Sequence, residues 1–307
     1  MKRHVEAGYA VIRAPWARSK TIRAESRFPD DTKIEGSMIR DIAARTLETD
    51  TEFERSKVME TSVVRVELNG YPTSRPEGKK AKRIAVCVLL SECNPTIAKG
   101  VPEIMSRVFA CPPPTLRSGT RALLGVLGAS NHLPKECFVV DMTSEGTSML
   151  AVRKGIAAES ASLSEGISSI VRRIAGGKMP EETLTMIRLL ANDQCETESC
   201  EALSSAIAKT EPELVKMFGD AVGALAQARR LPNALILIAH DDLLPWLSHF
   251  FSRIDFAPFT ITTRPFVPNA LRIADLQSVI SVERVPALDS NLAIAGALVN
   301  IERQSFT

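Results

Sequence analysis

The sequence is short of aromatic rings, of net charge and of long apolar runs. Phe, Trp and Tyr make up 5% of its 307 residues, too few for a base-stacking platform. Its 38 Lys and Arg are balanced by 36 Asp and Glu, a net charge of +2. No global positive field exists to attract a phosphate backbone, so nucleic acid is not an expected partner. No apolar run approaches the roughly 20 residues that span a bilayer. The opening Met-Lys-Arg-His-Val has two basic residues but no apolar core behind it, so it does not read as a secretory signal. Cysteine is sparse: Cys87, Cys93, Cys111, Cys137, Cys195 and Cys200, with no C-x-x-C pair. Cys87, Cys111 and Cys137 lie in or beside apolar segments, the pattern of buried free thiols in a reducing cytoplasm. What is there is an ordinary globular balance, 45% hydrophobic and 24% charged. It suffices for one large or two medium domains.

Periodicity predicts an α/β chain. Tyr9 to Ala14 is a short strand ended by Pro15, with Thr21 to Arg27 expected to pair with it as a hairpin and Phe28 to Thr32 as a loop. Ser37 to Leu47 places Met38, Ile39, Ile42, Ala43 and Leu47 on one helical face, with Ser37 as N-cap. Lys57 to Leu68 is Val- and Thr-rich, and Asn69-Gly70 marks a turn after it. Pro76 to Arg83 is a basic loop before the apolar strand Ile84 to Leu90. Pro95 to Phe109 reads as a helix, and Cys111-Pro-Pro-Pro114 as a stiff linker. A short strand near Leu116 and a helix from Arg121 to Leu127 follow. Phe138 to Met142, Ser148 to Arg153 and Ile156 to Ser160 read as three antiparallel strands. Helices are expected at Ile167 to Ile174, Pro180 to Leu190, Cys200 to Arg230, Leu243 to Phe251 and Leu292 to Ile301. Ala234 to Ala239 reads as a buried strand and Phe259 to Thr263 as another.

Two motifs carry chemistry. In the first, Asp141 ends a strand and Met142-Thr-Ser-Glu-Gly-Thr147 turns the backbone. In the second, the strand from Asn233 ends in Ala239-His-Asp-Asp242 and runs into Leu243-Leu-Pro-Trp-Leu247. A metal cluster of His240, Asp241, Asp242 and His249 is not expected, because His249 lies about 10 Å or more along a helix from His240. Asp241 and Asp242 fit better as acids at a helix start. The charges Lys79, Lys80, Lys82 and Arg83 fit a solvated hairpin edge.

The Asp141 loop resembles the second phosphate loop of the actin-like ATPase superfamily. Thr143, Ser144 and Glu145 stand where glycines are usual, and Gly146 and Thr147 where threonines are common. The second motif is similar to the adenosine loop, with Ala239, His240 and Asp241 at glycine positions. Ser164-Glu-Gly166 resembles the strand-to-helix junction between them. A small α/β module ahead of the Asp141 loop, about Asp30 to Phe109, resembles the inserted subdomain of the FtsA and PilM branch.

The resemblance implies an α/β, actin-like (ribonuclease H-like) two-lobed fold with an incomplete first lobe. It places a remnant of that lobe at 1–29, the inserted subdomain at 30–110, the end of the first lobe at 111–134 and the second lobe at 135–307, with helices over about 176–232. Asp141 and Ala239 should then end neighbouring strands of one sheet. A degenerate nucleotide pocket is implied at Asp141, Gly146, Thr147, Gly166, Ala239, His240 and Asp241. Asp141 is the one catalytic candidate, and no metal site is implied. Without glycines the loop amides do not readily cradle phosphate. The expectation is a cytoplasmic scaffold of FtsA/PilM type with weak or no ATP turnover and no cofactor, ATP and Mg²⁺ being the only candidates. It would work through protein partners, among them the cytoplasmic segment of a membrane protein, and through self-association. It would sit at the inner membrane face through a partner and not by insertion. The alternative is a truncated fragment of a functional actin-like ATP-binding protein.

Overall fold

The computed structural model describes residues 5–195, 198–281 and 290–305. Its largest sheet has five strands in the order β11-β10-β7-β8-β9. The strands are β7 (Cys137–Met142), β8 (Thr147–Arg153), β9 (Ile156–Leu163), β10 (Ala234–Ile238) and β11 (Val267–Ala270). β7, β8 and β9 form an antiparallel meander, while β10 lies parallel to β7 and β11 parallel to β10. Ile238 is paired with Asp141, so the Asp141 and Ala239 strand ends are neighbours, as expected. The Lys154-Gly155 turn between β8 and β9 has φ of 51° and 76°, the backbone a two-residue hairpin requires.

Both faces of the sheet's centre are covered, which explains why β7, β8 and β10 read as nearly continuous apolar runs. Phe138, Val140 and Met142 point to one side, against α4 (Ile167–Ala175), α5 (Pro180–Ala191), α6 (Glu198–Ala226) and α7 (Leu244–Arg253). Phe218, Phe250, Phe251, Phe256 and Phe266 also pack there, with Phe138 stacked on Phe266 at 5.1 Å between centroids. The scarce aromatics are thus concentrated in one core. Cys137 and Val139 point to the other side, against α3 (Gly119–Ala129) and α8 (Ser290–Ser305). Asp141 shares their parity along the strand.

The N-terminal third forms two smaller sheets. A four-stranded antiparallel sheet has the order β2-β5-β3-β4, from β2 (Ala17–Lys33), β3 (Val58–Leu68), β4 (Tyr71–Thr73) and β5 (Lys80–Cys93). Helix α1 (Gly36–Thr49) covers it through Ile39, Ile42 and Ala43. Its N-cap is Glu35, not Ser37, and no side chain caps it. The second is a parallel pair of β1 (Tyr9–Ile12) and β6 (Thr115–Ser118).

The expected Tyr9–Arg27 hairpin is therefore not formed. β1 pairs with β6, and β2 pairs with β5 from Ala17↔Cys93 to Lys33↔Lys80. The apolar centre of β5 is buried throughout, and two flanking strands satisfy its backbone. The expected loop at Phe28 to Thr32 is instead an irregularity inside β2. The expected strand at Phe259 to Thr263 is a turn, because Thr260 Oγ1 lies 2.7 Å from the Arg264 carbonyl and 3.0 Å from that of Ala257. Such local side-chain bonds compete with a ladder. The strand falls at β11 instead. Cys87, Cys93, Cys111 and Cys137 are buried and free, but Cys195 and Cys200 are joined in a disulfide, a correction to the all-thiol reading.

Polar contacts join the parts. Arg117 of β6 donates to Glu302 of α8 at 2.8 Å. Burial works against the Arg117 charge, yet the Glu302 bond and the Glu302 and Glu60 carboxylates raise the guanidinium above its ordinary value. The buried Glu60 carboxylate accepts from Ser118 N at 2.9 Å and Ser118 Oγ at 2.8 Å. Ser160 Oγ of β9 donates to Ser19 O of β2 at 2.9 Å.

Candidate functional site

A cleft of about 1130 Å³ opens beyond the ends of β7, β10 and β11. Thr143 and Ser144 form one wall and Ala239, His240 and Asp241 another, with Arg13 and Arg272 also lining it. Ligands of open α/β sheets are commonly met at this end of parallel strands.

Three of the sequence-predicted residues, Ala239, His240 and Asp241, reach the cleft. Asp141 lies beneath it, 3% exposed, beside a void of about 10 Å³ that Ser19, Ser118, Thr120 and Ser148 share. That is about the space of one water. Gly146, Thr147 and Gly166 do not line the cleft but build the loop behind it. A Cβ on Gly146 would come within 3.1 Å of Pro15 N, and one on Gly166 within 2.5 Å of Gly146 N and Ser144 O. Thr147 Oγ1 donates to Glu165 O at 2.6 Å.

Three of the loop's amides are spent internally. Thr143 N donates to Gly146 O at 2.8 Å, while Gly146 N and Glu145 N donate to Thr143 Oγ1 at 3.1 and 3.3 Å. The start of α4, where free N–H groups would suit an anion, is filled as well. Ile167 N donates to Thr143 O and Ser168 N to Ser144 O, both at 2.9 Å, and Gly166 N donates to Ser169 Oγ at 3.0 Å.

The opposite wall follows the same pattern. Leu243 N and Leu244 N donate to His240 O at 2.9 and 3.1 Å, and Asp242 N to His240 Nδ1 at 3.3 Å. Pro245 has no N–H to offer. Asp242 does not cap α7 as expected, because its carboxylate accepts from Arg188 of α5 at 3.0 Å. His249 is exposed on α7 and does not line the cleft. Among the described residues, no group of three or more His, Cys, Asp or Glu is placed to hold a metal ion.

One site residue was missed from the sequence. Arg13, just past β1, forms a two-pronged ion pair with Asp141, through Nε to Oδ2 at 3.1 Å and Nη2 to Oδ1. Its only signal is an arginine closing an apolar strand before Ala14-Pro15.

No protein-family model matches the sequence, and a search of curated proteins returns no match. Solved structures do match. A chain of the PilM–PilN type IV pilus biogenesis complex is 12% identical with a TM-score of 0.56, over 98% of this chain and 80% of that one. The ethanolamine utilization protein EutJ from Carboxydothermus hydrogenoformans is 12% identical with a TM-score of 0.37, over 57% of this chain and 56% of its own. Ta0583, an archaeal actin homologue, is 15% identical with a TM-score of 0.35, over 63% of this chain and 58% of its own. The first likeness carries the fold alone: a mixed α/β architecture shared with that chain of the PilM–PilN complex.

Proposed function

We propose that this chain is a divergent actin-type scaffold of the FtsA/PilM kind, which helps assemble a membrane-associated machinery through protein contacts, with weak or no ATP turnover. The observation that carries this reading is the phosphate loop closed on itself. A nucleotide phosphate needs several converging N–H groups, and here Thr143 Oγ1 and the Thr143 and Ser144 carbonyls take them. In this reading ATP and Mg²⁺ are not cofactors of the chain.

The partner in this reading is a cytoplasmic segment of a membrane protein, in division or pilus assembly. The likeness to a chain of the PilM–PilN complex supports it. We take residues 30–110 as the recognition module, with the remainder as the two-lobed frame. Helix α2 (Pro95–Phe109) within that module has no buried residue, and its Ile104, Val108 and Phe109 are 53%, 63% and 56% exposed. An amphipathic helix that turns Ile104, Val108 and Phe109 to solvent is suited to a partner. No helix of the described residues is long and apolar enough to cross a membrane, so in this reading the membrane is reached through the partner.

The test is a photo-crosslinker at Ile104 or Val108 in native cells, beside calorimetry of the purified chain with ATP and Mg²⁺. Crosslinks to a cytoplasmic segment of a membrane protein, lost in Val108→Asp, are expected, with no heat from ATP. Micromolar ATP binding with turnover that Asp141→Ala abolishes would replace the scaffold with a working ATPase.

A further inference from the structure

We infer that Arg13 is a built-in cation: its guanidinium, held on Asp141 at the floor of the cleft, fastens the β1 end to the β7 end and leaves no place there for a metal ion. This deepens the scaffold reading above and rests on it for the claim that no nucleotide is needed.

The pair links residues 128 positions apart, at the ends of strands from two different sheets. Both side chains are largely enclosed, at 19% exposure for Arg13 and 5% for Asp141. The two-pronged contact occupies both oxygens of the carboxylate, the geometry in which guanidinium and carboxylate match best. The arginine stem has a seat of its own. A Cβ on Gly119, the first residue of α3, would fall 2.7 Å from Arg13 Cγ, so this glycine makes room for it. The residues after Arg13 are seated too. Thr143 Oγ1 lies 2.9 Å from Ala14 O, and Pro15 backs onto Gly146. The segment Arg13-Ala14-Pro15 is thus bound to the Asp141 loop at its side chain and along its backbone.

A magnesium ion needs six oxygens in a near-octahedral shell. Here the Asp141 carboxylate is already paired with the fixed positive charge of Arg13, which would repel a second cation. The protein supplies internally what a metal bridge would otherwise do: neutralise Asp141 and hold two elements together. The link is permanent, and the joint does not depend on ligand supply.

The experiment compares the full-length wild type, Arg13→Ala and Arg13→Ala with Asp141→Asn, by thermal melting and by hydrogen–deuterium exchange. Removing Arg13 leaves a buried carboxylate without a counter-charge, so Tm should fall on the order of 10 °C. Exchange should rise at Ile12 to Ala14 and at Cys137 to Ser144 together. Neutralising Asp141 in the same chain should recover a large part of the lost Tm, which a merely steric role for Arg13 would not produce. Wild-type Tm should be unmoved by millimolar Mg²⁺. If Arg13→Ala does not fold, Arg13→Lys keeps the charge but loses the fork, and should show the same paired rise in exchange. Unchanged Tm and exchange in Arg13→Ala would overturn the inference, as would a wild-type Tm raised several degrees by Mg²⁺ alone. No partner enters this comparison, so failure to find one would undo the scaffold reading and leave this result standing.

Discussion

Gly166→Ala is the sharpest single perturbation the fold offers. The glycine backbone is extended, at φ −132° and ψ −170°, so alanine meets no conformational strain of its own. The obstacle is contact. The new methyl would lie 2.5 Å from Gly146 N, 2.5 Å from Ser144 O and 2.6 Å from Ser144 C. All three are backbone atoms, and no side chain can swing aside. Relief requires the Thr143 to Gly146 turn to lift from α4. That breaks Ile167 N to Thr143 O and Ser168 N to Ser144 O, each worth about 1 kcal/mol net. Overpacking adds roughly 1–3 kcal/mol. The sum is about 3–5 kcal/mol, or a Tm drop of about 10 °C for a chain of this size. Gly219→Ala is the control, inside α6 with nothing within 4 Å of the added Cβ. It should gain up to about 1 kcal/mol from helix propensity. Scanning calorimetry of the three proteins decides the matter. A Gly166→Ala Tm within about 2 °C of wild type would refute the close-approach reasoning.

Acid should weaken the N-terminal sheet. Burial alone would raise the Asp50 carboxyl, but bonds from Lys20 and the Phe53 amide bring it below its ordinary value. Glu67 is likewise raised by burial and more than lowered again by Arg23 and Arg65. Folded values below unfolded ones mean that this stability is full above about pH 4.5 and lost as pH falls through the folded values. Urea midpoints from pH 6 to pH 3 should show the decline, and Lys20→Met should flatten it. Thiol chemistry gives the other prediction: burial pushes Cys137 up to about 12 and raises Cys87 and Cys93. A disulfide reagent at pH 8 should release almost no signal until denaturant exposes the four free thiols, and rapid labelling of Cys137 in the native chain would contradict the packing.

Legibility followed sequence distance. The β7–β8–β9 meander was readable because the short apolar runs of β7 and β8 and the Lys154-Gly155 turn specify it locally. The β3–β4 hairpin was readable from Asn69-Gly70, which take φ of 51° and 89°. Adjacency of the Asp141 and Ala239 strands came from motif order, not from the residues alone. The β1 and β2 pairings were misread because their partners, β6 and β5, lie about a hundred and about seventy residues away, and nothing in a short strand names a distant mate. In the candidate site, the departure of the loop from glycine at Thr143, Ser144 and Glu145 was legible at once. That its amides would be bonded within the loop, and that Arg13 would cover Asp141, depended on backbone placements no local pattern encodes.

The contact between Arg117 and Glu302 spans 185 positions, and it sets the order in which the chain can mature. β1 and β6 pair only after more than a hundred residues have been made, and α3 packs on α8, the last of the described helices. During synthesis at about 5–20 residues per second, early segments wait several seconds or longer for their mates. Until α8 emerges, Leu123, Val126 and Leu127 lack the cover that Ala297 and Leu298 supply. High sequence separation of contacts slows folding. A nascent chain of this protein therefore displays an unfinished apolar face until α8 has been translated, and chaperone engagement should be concentrated there.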